Sequence, residues 1–107
     1  MNKTLLEKTA DKLVNAFIKN KIIAPLPLKY TKKLSNAQKL RKLCESKIKD
    51  PIIGFKVAGT GIPVMKKLNE KEPFYASIFK RNFLKSGKKV KINKSTLGIE
   101  LEVCYLI

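Results

Sequence analysis

No stretch of the chain constrains its fold more than Gly98-Ile-Glu-Leu-Glu-Val-Cys-Tyr-Leu-Ile107. Ile99, Leu101, Val103, Tyr105 and Ile107 fall at every second position, with Glu100 and Glu102 between them. A pleated strand sends alternate side chains to opposite faces, so this spacing predicts one apolar face and two carboxylates ~6.5–7 Å apart on the other. Such a strand must be covered, because an open apolar edge invites aggregation. A sheet is therefore required. An apolar strand that runs to the final residue with no turn or polar cap further predicts a chain cut short at this end.

The preceding segments supply helices and turns. Thr4-Leu-Leu-Glu7 has capping-box spacing, and Leu6, Ala10, Leu13 and Phe17 then recur at helical intervals, predicting a helix to about Lys19–Lys21. Pro25 and Pro27 forbid its continuation, so 22–28 should be extended. Ser35-Asn-Ala-Gln38 opens a second predicted helix with Ala37, Leu40, Leu43, Cys44 and Ile48 on its apolar face, closed by Asp50-Pro51. Ile52–Val57 reads as a strand, with Ile53, Phe55 and Val57 on one face and Ile52, Gly54 and Lys56 on the other. Pro63 starts a short helix holding Val64, Met65 and Leu68. Pro73–Phe79 is a mixed loop and short strand, Ser86-Gly87 a turn, and Val90 with Ile92 another short strand. The expected class is α+β: a helical region over 1–50, then a β-rich part over 51–107 with a mostly antiparallel sheet left incomplete at the C-terminus.

With 107 residues the chain is one domain in size and long enough to bury a core. A hydrophobic share of 44% excludes a disordered polyampholyte, and no apolar run approaches the ~20 residues of a membrane span. Glu7 and Asp11 interrupt the N-terminus, which does not read as a signal peptide, so the expected compartment is the cytoplasm. A net charge of +16 raises nucleic acid as a partner. Against that, only Arg41 and Arg81 among the 24 basic residues are arginines, and the lysines are spread over the whole chain. A solvated basic surface is the favoured reading. Cys44 and Cys104 lie among apolar residues with no histidine in the chain, which points to reduced core thiols and not to zinc.

Three places carry potential chemistry. Glu100 and Glu102 on one strand face suit a hard divalent cation, although alone they read first as the wet face of an amphipathic strand. Lys56 beside Gly54 is a candidate active-site cation, or one more surface lysine. The Gly59-Thr60-Gly61 loop lacks P-loop spacing and reads as a turn. The order of the pieces adds information that none holds singly. Gly54-Phe-Lys56, the Gly/Thr turn, a short helix, Glu72-Pro-Phe-Tyr75, the Gly87 turn and Glu100-x-Glu102 together resemble the 2-keto-4-pentenoate hydratase family of the fumarylacetoacetate hydrolase superfamily. That family runs Gly-aromatic-Lys-[Val/Ile]-Gly-x-Thr-Ser, then Glu-Pro, then a Glu-x-Glu strand. Ala58 stands here for its Gly, and Gly61 for its Ser.

The resemblance implies Glu100 and Glu102 as two of three acidic ligands to Mg²⁺ or Mn²⁺, Lys56 as the active-site lysine and Thr60 as the loop threonine. It implies a short 2-oxo or 2-hydroxydienoic acid as substrate, hydration or decarboxylation as the reaction, and an oligomer. Lys56 would anchor the substrate carboxylate or move a proton, the latter helped if burial lowers its pKa. The third carboxylate lies beyond residue 107 in the family, so the resemblance also implies a missing C-terminal half, supplied by the same gene or by a second chain. Without it, two carboxylates hold a metal weakly. The alternatives are a non-catalytic remnant or interaction module, and a basic nucleic-acid-binding protein.

Overall fold

The computed structural model describes residues 3–107 and has an α+β architecture. Helix α1 spans Lys3–Ile18, α2 Leu28–Thr31, α3 Leu34–Lys47 and α4 Ile62–Leu68. Strands β1 (Ile52–Ala58) and β2 (Phe74–Phe79) form a two-stranded antiparallel sheet, followed by a 3₁₀ turn at Lys80–Asn82.

The helical stripe of α1 meets that of α3 as the spacing predicts. Ala10 and Leu40 are buried with Tyr30 of α2 between them, and Leu6, Leu13, Leu26, Leu43 and Cys44 pack around this cluster. Tyr30 is the largest fully buried side chain, and its hydroxyl is satisfied by Thr9 at 3.2 Å. Burying a tyrosine requires such a partner for its polar end. The prolines do break the chain after α1: residues 21–27 form no regular element, and α2 starts directly after Pro27.

The caps differ from expectation. Helix α1 is already formed at Lys3, the first described residue, so Thr4 lies inside its first turn and not at its cap. Helix α3 begins one residue before Ser35, with Lys33 at the N-cap and no side-chain cap bond. Asn36 instead donates to the Lys29 carbonyl at 3.0 Å, tying α3 back to α2. The Asn36 and Ala37 amides both donate to the Lys33 carbonyl, which starts the helix ahead of Ser35.

The sheet is registered Gly54↔Ile78, Lys56↔Ala76 and Ala58↔Phe74, with a bulge between Ile52 and Gly54. Phe55, Val57, Tyr75 and Ser77 therefore share one face, and Gly54, Lys56, Ala58, Phe74, Ala76 and Ile78 the other. The first face meets the helices along β2, with Tyr75 under the Arg41 guanidinium of α3. Ser77 Oγ donates to Glu45 of α3 at 2.7 Å, and the Phe79 ring lies 5.8 Å from that of Phe17. The hairpin is pinned below α3 by two bonds: Lys80 N–H to the Pro51 carbonyl, and Arg81 N–H to Asp50, both 2.9 Å.

Two predicted strands are absent. Neither Val90–Ile92 nor Gly98–Ile107 is in a ladder, and the latter segment is exposed throughout. Alternation fixes which side chains share a face but supplies no neighbour, and a strand exists only where a second backbone offers its N–H and C=O groups. Cys104 is correspondingly exposed and not a core thiol, whereas Cys44 is partly buried as expected. The result is an open molecule. Its accessible surface is 9649 Å², against ~6,000 Å² for a compact monomer of this mass. Its radius of gyration is 15.3 Å, against ~13 Å for a compact domain of this length.

Candidate functional site

Strand β1 places Lys56 among small neighbours. Gly54 and Ala58 flank it on the same face and Ala76 lies opposite on β2, so its stem crosses a shallow stretch of sheet without obstruction. The ammonium then reaches both predicted acids. Lys56 Nζ donates to Glu100 Oε2 at 3.1 Å and to Glu102 Oε1. Three of the four residues that the motif order singled out thus meet at one point, although 98–107 is not paired to β1 as a strand.

The site is open to water. Side-chain exposure is 43% for Lys56, 76% for Glu100 and 49% for Glu102, so these ion pairs are screened and individually weak. The hydrogen bond to Glu102, then that to Glu100, raises the Lys56 pKa above the ordinary lysine range. This reverses the shift expected from burial. Lys56 is held as a cation, suited to anchoring an anion and unsuited to accepting a proton near neutral pH.

Thr60 stands exposed in the turn after β1, and among the described residues no polar contact joins it to the Lys56 cluster. That turn depends on Gly59, whose φ is +67° and whose absent Cβ would lie 2.8 Å from the Phe74 ring. The departure at Ala58 falls just before this turn. Gly61 takes an ordinary extended conformation at the N-cap of α4, with Pro63 in the helix's first turn.

Among the described residues, no three His, Cys, Asp or Glu side chains gather as a metal centre. Glu100 and Glu102 nevertheless converge on one ammonium. Carboxylate oxygens suit Mg²⁺ or Mn²⁺, and the pair fits such an ion as a weak two-carboxylate site in competition with Lys56.

One cluster had no clear signal in the sequence. Arg41 bonds Glu45 at 2.6 Å and stacks over the Tyr75 ring at 4.7 Å, while Glu45 also accepts from Ser77. The i, i+4 spacing of Arg41 and Glu45 was visible, but their attachment to β2 depends on the hairpin's placement. Beside it, Phe55, Val57, Pro73, Phe74 and Tyr75 line an open apolar groove of about 410 Å³. A second cleft, lined by Ala16, Phe17, Asn20, Lys21 and Arg81 among others, lies at the end of α1. Lys56 lines neither of these two clefts, and its exposure with Glu100 and Glu102 places their meeting on an open surface. Compared with family models, with curated proteins and with solved structures, the chain matches none.

Proposed function

We propose that this chain is the N-terminal portion of a cytoplasmic, divalent-metal-dependent hydratase or decarboxylase acting on short 2-oxo or 2-hydroxydienoic acids. The observation that supports this reading is the meeting of Lys56 with Glu100 and Glu102, from 44 and 46 residues away. Those are the positions at which the ordered motifs imply an active-site lysine and two metal carboxylates.

On this reading Glu100 and Glu102 hold Mg²⁺ or Mn²⁺, which when bound supplies Lewis acidity toward a 2-oxo or enol oxygen. Lys56, released from the two acids by the metal and still a cation at neutral pH, would bind the substrate carboxylate through a charge-assisted hydrogen bond and fix its orientation. Thr60 offers a hydroxyl from the adjoining turn. A third carboxylate comes from sequence beyond residue 107 or from a second chain, in an oligomer.

The test is an NMR titration of the ¹⁵N-labelled chain with Mg²⁺ and 2-oxopentanoate, separately and together. Shifts at Lys56, Glu100 and Glu102 that require both components, and that vanish in E100Q/E102Q, support the reading; an unchanged spectrum removes it. Consumption of 2-hydroxypenta-2,4-dienoate without CO₂ release would then assign hydration, and CO₂ release from an oxalocrotonate would assign decarboxylation. A second reading, a non-catalytic interaction module, is favoured by the open apolar groove and the exposed apolar residues of 97–107.

A further inference from the structure

The lysines are spread along the sequence, but the fold brings separate basic stretches together at the end of α1. There Phe17, Asn20, Lys21, Arg81 and Asn82 line an open cleft of about 550 Å³, the size of site that takes a small organic group. Asn20, at φ +52°, turns the chain out of the helix. Its N–H bonds the Phe17 carbonyl at 3.2 Å and that of Lys21 bonds the Ala16 carbonyl at 2.8 Å, so these carbonyls at the negative end of α1 are satisfied internally. Asn20 Oδ1 also lies 3.0 Å from the Ser95 hydroxyl. The segment from Arg81 to Ser95 is therefore held at both ends beside the end of α1. Between those ends it carries Lys85, Lys88, Lys89, Lys91 and Lys94, all exposed, and the exposed ring of Phe83. Acids are missing from the stretches that meet here: the sequence holds none from residue 12 to 44 or from 73 to 99. Asp50 accepts the Arg81 backbone N–H at 2.9 Å, but it approaches the guanidinium only at Nε, 3.9 Å away, and does not grip its fork.

We propose that this cleft and its lysine loop bind single-stranded nucleic acid, a phosphate being held by Lys21 and Arg81 and unpaired bases lying on the rings of Phe17 and Phe83. Arginine forks onto phosphate oxygens, and lysine adds a point charge. A free phosphate group would use the cleft alone, whereas a strand also uses the lysines of the loop. A duplex hides the faces of its bases. Only an unpaired base can stack on an exposed aromatic ring, and a basic track with such rings is how sequence-tolerant binders hold single strands. Lys56, Glu100 and Glu102 do not line the cleft, so the proposal stands independently of the metal and the 2-oxo acid.

Fluorescence anisotropy of a labelled oligothymidylate of ~12 nucleotides, titrated with the full chain, tests this. A net charge of +16 attracts any polyanion, so the deciding comparison is between charge-matched variants. K21Q/R81Q in the cleft and K88Q/K89Q on the loop should each weaken binding ~10-fold or more, and K66Q/K67Q on α4, outside both, only ~2-fold. K21Q/R81Q should also flatten the slope of log K against log salt by ~1.4, the share of two phosphate contacts. F83A should weaken binding ~5-fold or more through lost stacking. All these positions are exposed, and far-UV circular dichroism reports whether each variant stays folded. Equal losses from the three double variants would reduce the binding to net charge and overturn the proposal. So would no binding, or a duplex bound as tightly as the single strand. Displacement of the strand by thymidine monophosphate at equal nucleotide concentration would also overturn it, and would give the cleft to a small phosphate ligand.

Discussion

Lys56 is the residue on which the chemistry turns, and its protonation gives the first test. Its pKa is raised chiefly by the hydrogen bond to Glu102 and next by that to Glu100. A lysine raised in the folded state stabilises the fold fully below the unfolded pKa of ~10.4 and loses that contribution as pH rises through the folded value. Side-chain NMR titration should therefore find Lys56 above the bulk of the other lysines, with E102Q lowering it more than E100Q. Titration of Lys56 within the bulk would remove the clasp from solution. A second residue-scale test concerns Tyr30, buried with its hydroxyl on Thr9. Tyr30→Phe should cost ~1 kcal/mol and Tyr30→Ala ~3–5 kcal/mol, read as shifts in the urea midpoint. Equal losses would show that packing contributes little there. Tyr30 was not legible as core, because a lone tyrosine between lysine-rich stretches has no periodicity to mark it.

At the scale of elements, the hairpin depends on its turn and its anchor. Gly59 at positive φ, with the Phe74 ring against it, should not accept a side chain: Gly59→Ala is expected to cost ~1–2 kcal/mol. Faster amide exchange confined to 52–58 and 74–79 would report the loss, and unchanged exchange would contradict this account of the turn. Helix α1, helix α3 and strand β1 were legible because each carries its own periodicity, 3.6 for Leu6, Ala10 and Leu13 and 2 for Phe55 and Val57. The cap of α3 was less legible, because Ser35-x-x-Gln38 states a local preference, whereas the first helical amides bond the Lys33 carbonyl. The expected strand at 98–107 failed for a different reason. Glu100 and Glu102 both reach Lys56, but the segment is exposed on all sides, and pairing requires a second backbone that pattern alone cannot provide.

Across the whole molecule, a helical core around Ala10, Tyr30 and Leu40 carries a hairpin and a long open segment. A two-stranded hairpin is marginal in isolation, so its stability derives from the contacts of Ser77 and Phe79 with the helices. The candidate site was legible as residue types in a particular order, and its juxtaposition follows from an ion pair across 44 residues that no local rule contains. Among the described residues no helix is long and apolar enough to cross a membrane.

The most direct measurement is a Mn²⁺ titration of the full chain followed by water-proton relaxation, with K56M and E100Q/E102Q alongside. Glu100 and Glu102 as cation ligands in competition with the Lys56 ammonium require that the wild type bind Mn²⁺ weakly, that K56M bind it more tightly, and that E100Q/E102Q lose it. Binding that is indifferent to the two glutamates, or no binding even in K56M, would contradict the account.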